Sequence, residues 1–184
     1  MIRKEAIDIV CNYIKNDIII SANGFISRDV YSSLEKNTNF YMIGSMGLAS
    51  SIALGIALKK PKRRIFVFDG DGNILMNLGS LVTIGTLHPK NLIHIIFDNK
   101  IHESTGGQPT QSKKINILKI AKATNYLTYS VNTKKSLENV LKKISKSKGP
   151  ILIHVLIKKS NAKSSRVDIS PKLIKNRFMN AINK

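Results

Sequence analysis

The sequence predicts an α/β fold, a three-layer, doubly wound and mostly parallel sheet, and three observations predict it. Mainly apolar runs stand at residues 65–68, 91–97 and 150–157; a strand apolar on both sides is one buried on both faces, as in a parallel sheet. Between the runs lie stretches of helical periodicity, so strands and helices alternate as βαβ units do. The chain of 184 residues is 42% apolar and has a single cysteine, which allows one sizeable core and no internal disulfide framework.

The elements follow in order. Residues 2–15 carry Ile2, Ala6, Ile9, Val10, Tyr13 and Ile14 near the 3.6 period of an amphipathic helix. Ile18, Ile19 and Ile20 make a short strand that Asn23-Gly24 ends, and Ser27 is placed to cap a helix over 28–35. Residues 40–43 form a second strand; Gly44-Ser45-Met46-Gly47 then leads into a small-residue apolar helix over 48–58. A basic turn around Pro61 precedes the strand 65–68, the turn 69–73 and a helix over 74–87. The strand 91–97 is followed by a Gly- and Pro-containing loop at 100–112, a helix at 115–124 and a strand at 126–131. A helix at 135–146 and the strand 150–157 complete the domain, residues 1–157. The basic tail 158–184 is expected to dock a helix through Leu173, Phe178 and Ile182.

The formal charge is +19, from 30 basic and 11 acidic residues. Clustered cations release counterions from nucleic-acid phosphates, so a basic nucleic-acid-binding domain is one reading. Two facts weigh against it. Residues 134–184 hold +12 of the charge, and aromatic residues are 6% with no Trp, leaving few stacking platforms. A positive field also favours a small anionic substrate. The longest mainly apolar stretch without charge, 42–58, is broken by three serines and three glycines and is shorter than the ~20 residues of a membrane span. Glu5 and Asp8 stand where a signal peptide needs its apolar run. The expectation is a soluble, cytoplasmic protein.

Ligands of such sheets bind beyond the carboxyl ends of the strands, and three segments there carry chemistry: Gly44-Ser45-Met46-Gly47, Gly70-Asp71-Gly72-Asn73, and Asp98-Asn99-Lys100-Ile101-His102. A calcium loop from Asp69 fails, because Ile74 and Ser80 occupy the positions that need Gly and Glu. A dinucleotide fingerprint fails because Leu75 stands where its third glycine belongs. Asn99 lies one βαβ step beyond Asp71, so both side chains leave the same sheet edge on adjacent loops. A carboxylate and an amide oxygen suit a hard divalent cation that also takes phosphate oxygens. Gly70 and Gly72 admit a diphosphate close to the backbone, and a helix starting near Asn73 would aim its N–H groups at it.

The segment GDGNILMNLGSLVTIGTLHPKNLIHIIFDN resembles the signature of the thiamine-diphosphate-dependent decarboxylases. The resemblance implies that Asp71 and Asn99 ligate Mg²⁺ through side chains and Ile101 through its carbonyl. Asp98 departs from the family, where many members have an asparagine. GSMG matches the family's other cofactor element: Met46 would sit beneath a bent thiamine diphosphate, beside Ser45, and the Gly44 carbonyl would hold its amino group. GSMGLASSIALGIAL and HESTGGQPT extend the resemblance, over residues 21–157, to the small subunit or C-terminal domain of phosphonopyruvate and sulfopyruvate decarboxylases.

The resemblance further implies a fold that is the diphosphate-binding half of a thiamine-diphosphate site. A separate α subunit would supply the pyrimidine-binding domain and its glutamate, for which Glu5, Glu35, Glu103 and Glu138 are not candidates. A hetero-oligomer is expected, with a homodimer in isolation. The substrate would be an anionic 2-oxo acid, 3-phosphonopyruvate ahead of 3-sulfopyruvate. His102, Ser104, Thr105, Gly106, Gly107 and Gln108 are the expected anion loop, and His102 is the residue type that can also move a proton. His94, His154 and Cys11 are expected to be core residues.

Overall fold

A computed structural model describes residues 1–162 and 164–183. The strands are β1 (Ile18–Ser21), β2 (Asn39–Tyr41), β3 (Ile65–Gly70), β4 (Leu92–Asp98), β5 (Ile101–His102), β6 (Gln108–Pro109), β7 (Leu127–Val131) and β8 (Ile151–Leu156). The helices are α1 (Arg3–Tyr13), α2 (Phe25–Ser33), α3 (Ala49–Lys59), α4 (Asp71–Leu75), α5 (Gly79–Leu87), α6 (Ile117–Ala123), α7 (Lys134–Ile144) and α8 (Pro171–Asn183). Six strands form one sheet in the order β2-β1-β3-β4-β8-β7, and every pairing in it is parallel.

The apolar runs account for this order. All of β4 is buried, as are the first five residues of β3, so these strands are central, in register with Phe68 beside Ile95. The chain runs outward from β1 to β2 through α2, and in the opposite direction from β3 to β4 through α4 and α5. Right-handed crossovers then put α2 and α5 on opposite faces. Accordingly α1 packs against both α2 and α7, while α5 packs against α3 and α6. The crevice where the winding reverses lies between the carboxyl ends of β1 and β3.

The structure corrects the sequence reading at four places. Helix α2 begins at Phe25, after Gly24 with φ +82°; Ser27 lies inside it, its buried hydroxyl donating to the Ala22 carbonyl at 2.8 Å. The helix expected over 74–87 is two, because the chain breaks between α4 and α5 and Asn77 turns its amide to the Gly47 carbonyl. The loop 100–112 contains the β5–β6 hairpin. Helix α8 docks on β2 through Ile174, Phe178 and Ile182, spaced four apart, with the Phe178 ring edge-on to Phe40; Leu173 points to solvent. Cys11 is buried in the core, and burial pushes its thiol up to about 12.

Candidate active site

A cleft opens at the reversal of the sheet. Asn23 and Phe25 line it from the β1–α2 turn, Gly70, Asp71, Gly72 and Asn73 from the β3–α4 turn, and Met46 from the segment before α3. Asn99, His102, Glu103, Ser104 and Thr105 come from the segment after β4, and Arg3 from α1. Asp71 and Asn99, 28 positions apart, therefore face one cavity.

Asp71 is 3% exposed. Its Oδ2 accepts from the Thr110 hydroxyl and from Ser112 Oγ at 3.3 Å. Among the described residues no lysine, arginine or histidine pairs with it. Burial pushes the carboxyl up to about 6; the Thr110 hydroxyl pulls it down and the charge of Asp98 adds to the rise. A buried carboxylate without a counter-ion is what a cation would stabilise. Among the described residues no three His, Cys, Asp or Glu side chains converge on a metal-sized point. A cation here would draw on one carboxylate, the Asn99 amide, backbone carbonyls and ligand oxygens, a donor set that suits Mg²⁺, which keeps few carboxylate ligands when it binds phosphates.

Behind Asp71 lies a buried chain of hydrogen bonds. His94 Nε2 meets Asp69 Oδ2 at 3.0 Å, and Asp69 Oδ1 accepts from the amides of Gly70 and Asn73. Asn73 Oδ1 in turn accepts from the Gly47 N–H at 2.8 Å, and Asn77 Nδ2 donates to the Gly47 carbonyl at 2.9 Å. Gly47, at φ +92°, has both its polar groups held by the segment that carries Asp71, in a backbone region open to glycine. The Asn73 side chain thus joins two loops while lining the cleft. Among the described residues His94 Nδ1 is buried without a partner, so this core histidine is satisfied there at one nitrogen only.

The segment after β4 is fixed by different anchors. Burial favours the neutral form of Asp98, but the hydrogen bond and charge of His154, with Ser112 and the Lys100 N–H, outweigh it and hold the acid below its usual value. His154 is half-buried by this contact, at 2.8 Å. Asn99 Oδ1 accepts from the Ile101 N–H at 3.1 Å and its Nδ2 donates to Glu103 Oε2 at 2.8 Å. The His102 ring lies against Gly72, where an added Cβ would meet Cε1 at 2.5 Å.

Other expected site residues fall outside the cleft. Gly44 and Ser45 line a neighbouring apolar groove with Ile43, Leu48 and Ile52; Ser45 has φ +54°, an uncommon backbone for a residue with a side chain. Ile101, Gly106, Gly107 and Gln108 lie in the hairpin beyond the lining residues. Sequence reasoning missed Arg3, Asn23, Phe25 and Glu103 as cleft residues. The Asn23-Gly24 turn was a signal for two of them, but only the strand order shows that β1 borders the reversal point.

Residues 24–155 match the family described as thiamine pyrophosphate enzyme, C-terminal TPP binding domain. The sulfopyruvate decarboxylase subunit beta of Methanocaldococcus jannaschii is 44% identical over 184 residues, spanning 96% of each chain. The chain belongs to the thiamine-diphosphate-dependent decarboxylase family. The phosphonopyruvate decarboxylase of Streptomyces viridochromogenes is 36% identical over 87% of this chain and 41% of its own length. Benzoylformate decarboxylase from Polynucleobacter necessarius shares the fold, with a TM-score of 0.73 at 17% identity over 88% of this chain and 34% of its own. Several relatives over its whole length are named as beta subunits. No helix among the described residues is long and apolar enough to cross a membrane.

Proposed function

We propose that the chain is the β subunit of a thiamine-diphosphate- and Mg²⁺-dependent decarboxylase of a three-carbon 2-oxo acid bearing an anionic group at C3. The order of substrates expected from the sequence is reversed: 3-sulfopyruvate stands ahead of 3-phosphonopyruvate. Three relatives named for the sulfonate match end to end as separate subunits, whereas a fourth and the two named for the phosphonate are more than twice this chain's length. The observation that carries the reading is Asp71, a buried acid with no cationic partner among the described residues, sharing a cleft with Asn99 at the reversal of the sheet.

In this reading Asp71, Asn99 and the Ile101 carbonyl hold Mg²⁺, and the backbone around Gly70, Gly72 and Asn23 receives the diphosphate. Met46 supports the cofactor from the side of the GSMG segment, with Gly44 and Ser45 behind it. When bound, thiamine diphosphate supplies the electron sink that lets CO₂ leave a 2-oxo acid. His102, Ser104 and Thr105 face the cleft as donors for the substrate's second anion, and the positive field of the chain favours its approach. Gly106, Gly107 and Gln108 carry that loop.

The site is half of one. Ile43, Leu48 and Met76 are 59%, 46% and 63% exposed around Gly47, beside the cleft. Such an apolar surface fits the seat of an α subunit that supplies the pyrimidine-binding domain and its glutamate. The test is reconstitution with that subunit and assay of CO₂ release from both acids. Turnover of the sulfonate, lost with Asp71→Ala and Asn99→Ala together with Mg²⁺-dependent cofactor binding, is the expected result. Turnover of neither acid, or cofactor binding indifferent to both substitutions, would overturn it.

A further inference from the structure

Glu103 sits in the exposed stretch after β4, yet its side chain is only 10% exposed. Both of its oxygens are engaged. Oε2 accepts from Asn99 Nδ2 at 2.8 Å and from the Arg3 guanidinium, and Oε1 accepts from the Ser160 N–H at 3.1 Å. Arg3 is itself pinned: its Nε donates to Asp29 Oδ2 at 2.7 Å, and its guanidinium lies 4.9 Å from the centre of the Phe25 ring. Asp29 is 1% exposed and also accepts from Ser164 Oγ at 2.6 Å. A chain of contacts therefore runs from α2 through α1 to Asn99, joining residues 100 positions apart.

An amide side chain has two ends of nearly equal size, and only one of them, the oxygen, can bind a cation. A carboxylate only accepts hydrogen bonds, so its contact with Nδ2 decides which end of Asn99 is which. The reverse orientation would set Oδ1 against Glu103 and lose that bond. With Nδ2 committed, Oδ1 has one lone pair on the Ile101 N–H and a second to offer. We propose that Glu103, held by Arg3, is a positioning residue that orients the Asn99 amide so that its oxygen is presented to the divalent cation. This inference rests on the reading of Asn99 as a metal ligand. Partners behind a metal ligand that fix its orientation change metal affinity by about 10- to 100-fold when removed.

The test uses the reconstituted α–β complex with saturating thiamine diphosphate, and follows free Mn²⁺ by electron paramagnetic resonance as the metal is titrated in. Glu103→Ala is expected to weaken Mn²⁺ by about 10- to 100-fold. Glu103→Gln, which keeps an acceptor for Asn99, is expected to recover most of that loss. Should Glu103→Ala not fold, Arg3→Gln removes the anchor without touching Asn99, and a loss of about tenfold is expected. Unchanged affinity in Glu103→Ala or Arg3→Gln, alongside a large loss in Asn99→Ala, overturns the positioning role and leaves the metal site standing. Equal losses in the Ala and Gln variants with matching falls in thermal midpoint also overturn it, since they show a structural role alone. Unchanged affinity in Asn99→Ala overturns the metal-ligand reading itself.

Discussion

The two rims of the cleft are built in different ways. On one rim, His94, Asp69, Asn73 and Gly47 form a chain of hydrogen bonds inside the core, and Asp71 sits on its surface. The rim moves only if the centre of the sheet moves with it. The other rim, residues 99–112, is a hairpin with exposed Ser104, Thr105, Gly106 and Gln108, fixed at a few points by Glu103, Asp98 and Thr110. Buried, mutually satisfied groups give a fixed geometry, whereas few buried contacts give a segment that can open at low cost. The difference suits a rigid holder for a charged ligand facing a cover that lets it in.

The largest expected effect is on the rigid rim. Asn73→Ala leaves the buried Gly47 N–H without its acceptor and one Asp69 oxygen short of a donor. The expected loss in urea unfolding is about 2–3 kcal/mol, against less than about 0.5 kcal/mol for Gln108→Ala on the exposed hairpin. Equal losses would erase the distinction between the rims.

The next effect depends on pH. Burial raises the Asp71 carboxyl to about 6 from its usual value of 3.8, so the folded chain keeps that proton to higher pH than the unfolded chain does. Its contribution to the stability of the metal-free chain is full below about pH 4 and lost as pH rises through about 6. The expected change is on the order of 2–3 kcal/mol, measured as unfolding free energy between pH 4 and 7. Asp71→Asn should flatten that part of the profile; a profile unchanged by the substitution would assign the dependence to other groups.

The rims also differ in how far they could be read from the sequence. Gly70, Asp71 and Gly72 are adjacent and follow an apolar run, so local pattern and the one-step spacing to Asn99 placed them on one edge. The central strands were legible for the same reason: continuous burial writes continuous apolar runs. The anchors of the other rim span the chain, Arg3 to Glu103 and Ser164 to Asp29, and no local pattern encodes such pairs. The hydrogen bond from Gly47 to Asn73 was not legible either, because Gly47 lies across the fold. Leu173 and Ile174 are both apolar, and only the packing of α8 on β2 decides which is buried.

The smallest effect tests where the rims meet. A methyl group at Gly72 would stand 2.5 Å from His102 Cε1 and 3.3 Å from Thr110 Cγ2. The backbone at Gly72 does not need glycine, since it is not among the positive-φ glycines. The crowding therefore falls on the ends of side chains, and the hairpin is the partner free to yield. Gly72→Ala should cost about 1 kcal/mol and speed proteolytic cleavage at residues 104–108 while leaving the Asn73–Gly47 contact intact. In a His102→Ala background most of that cost should vanish, giving a coupling of about 1 kcal/mol in a double-mutant cycle. A cost that persists without the imidazole would mean that the turn itself is strained and that the fixed rim, not the cover, had moved.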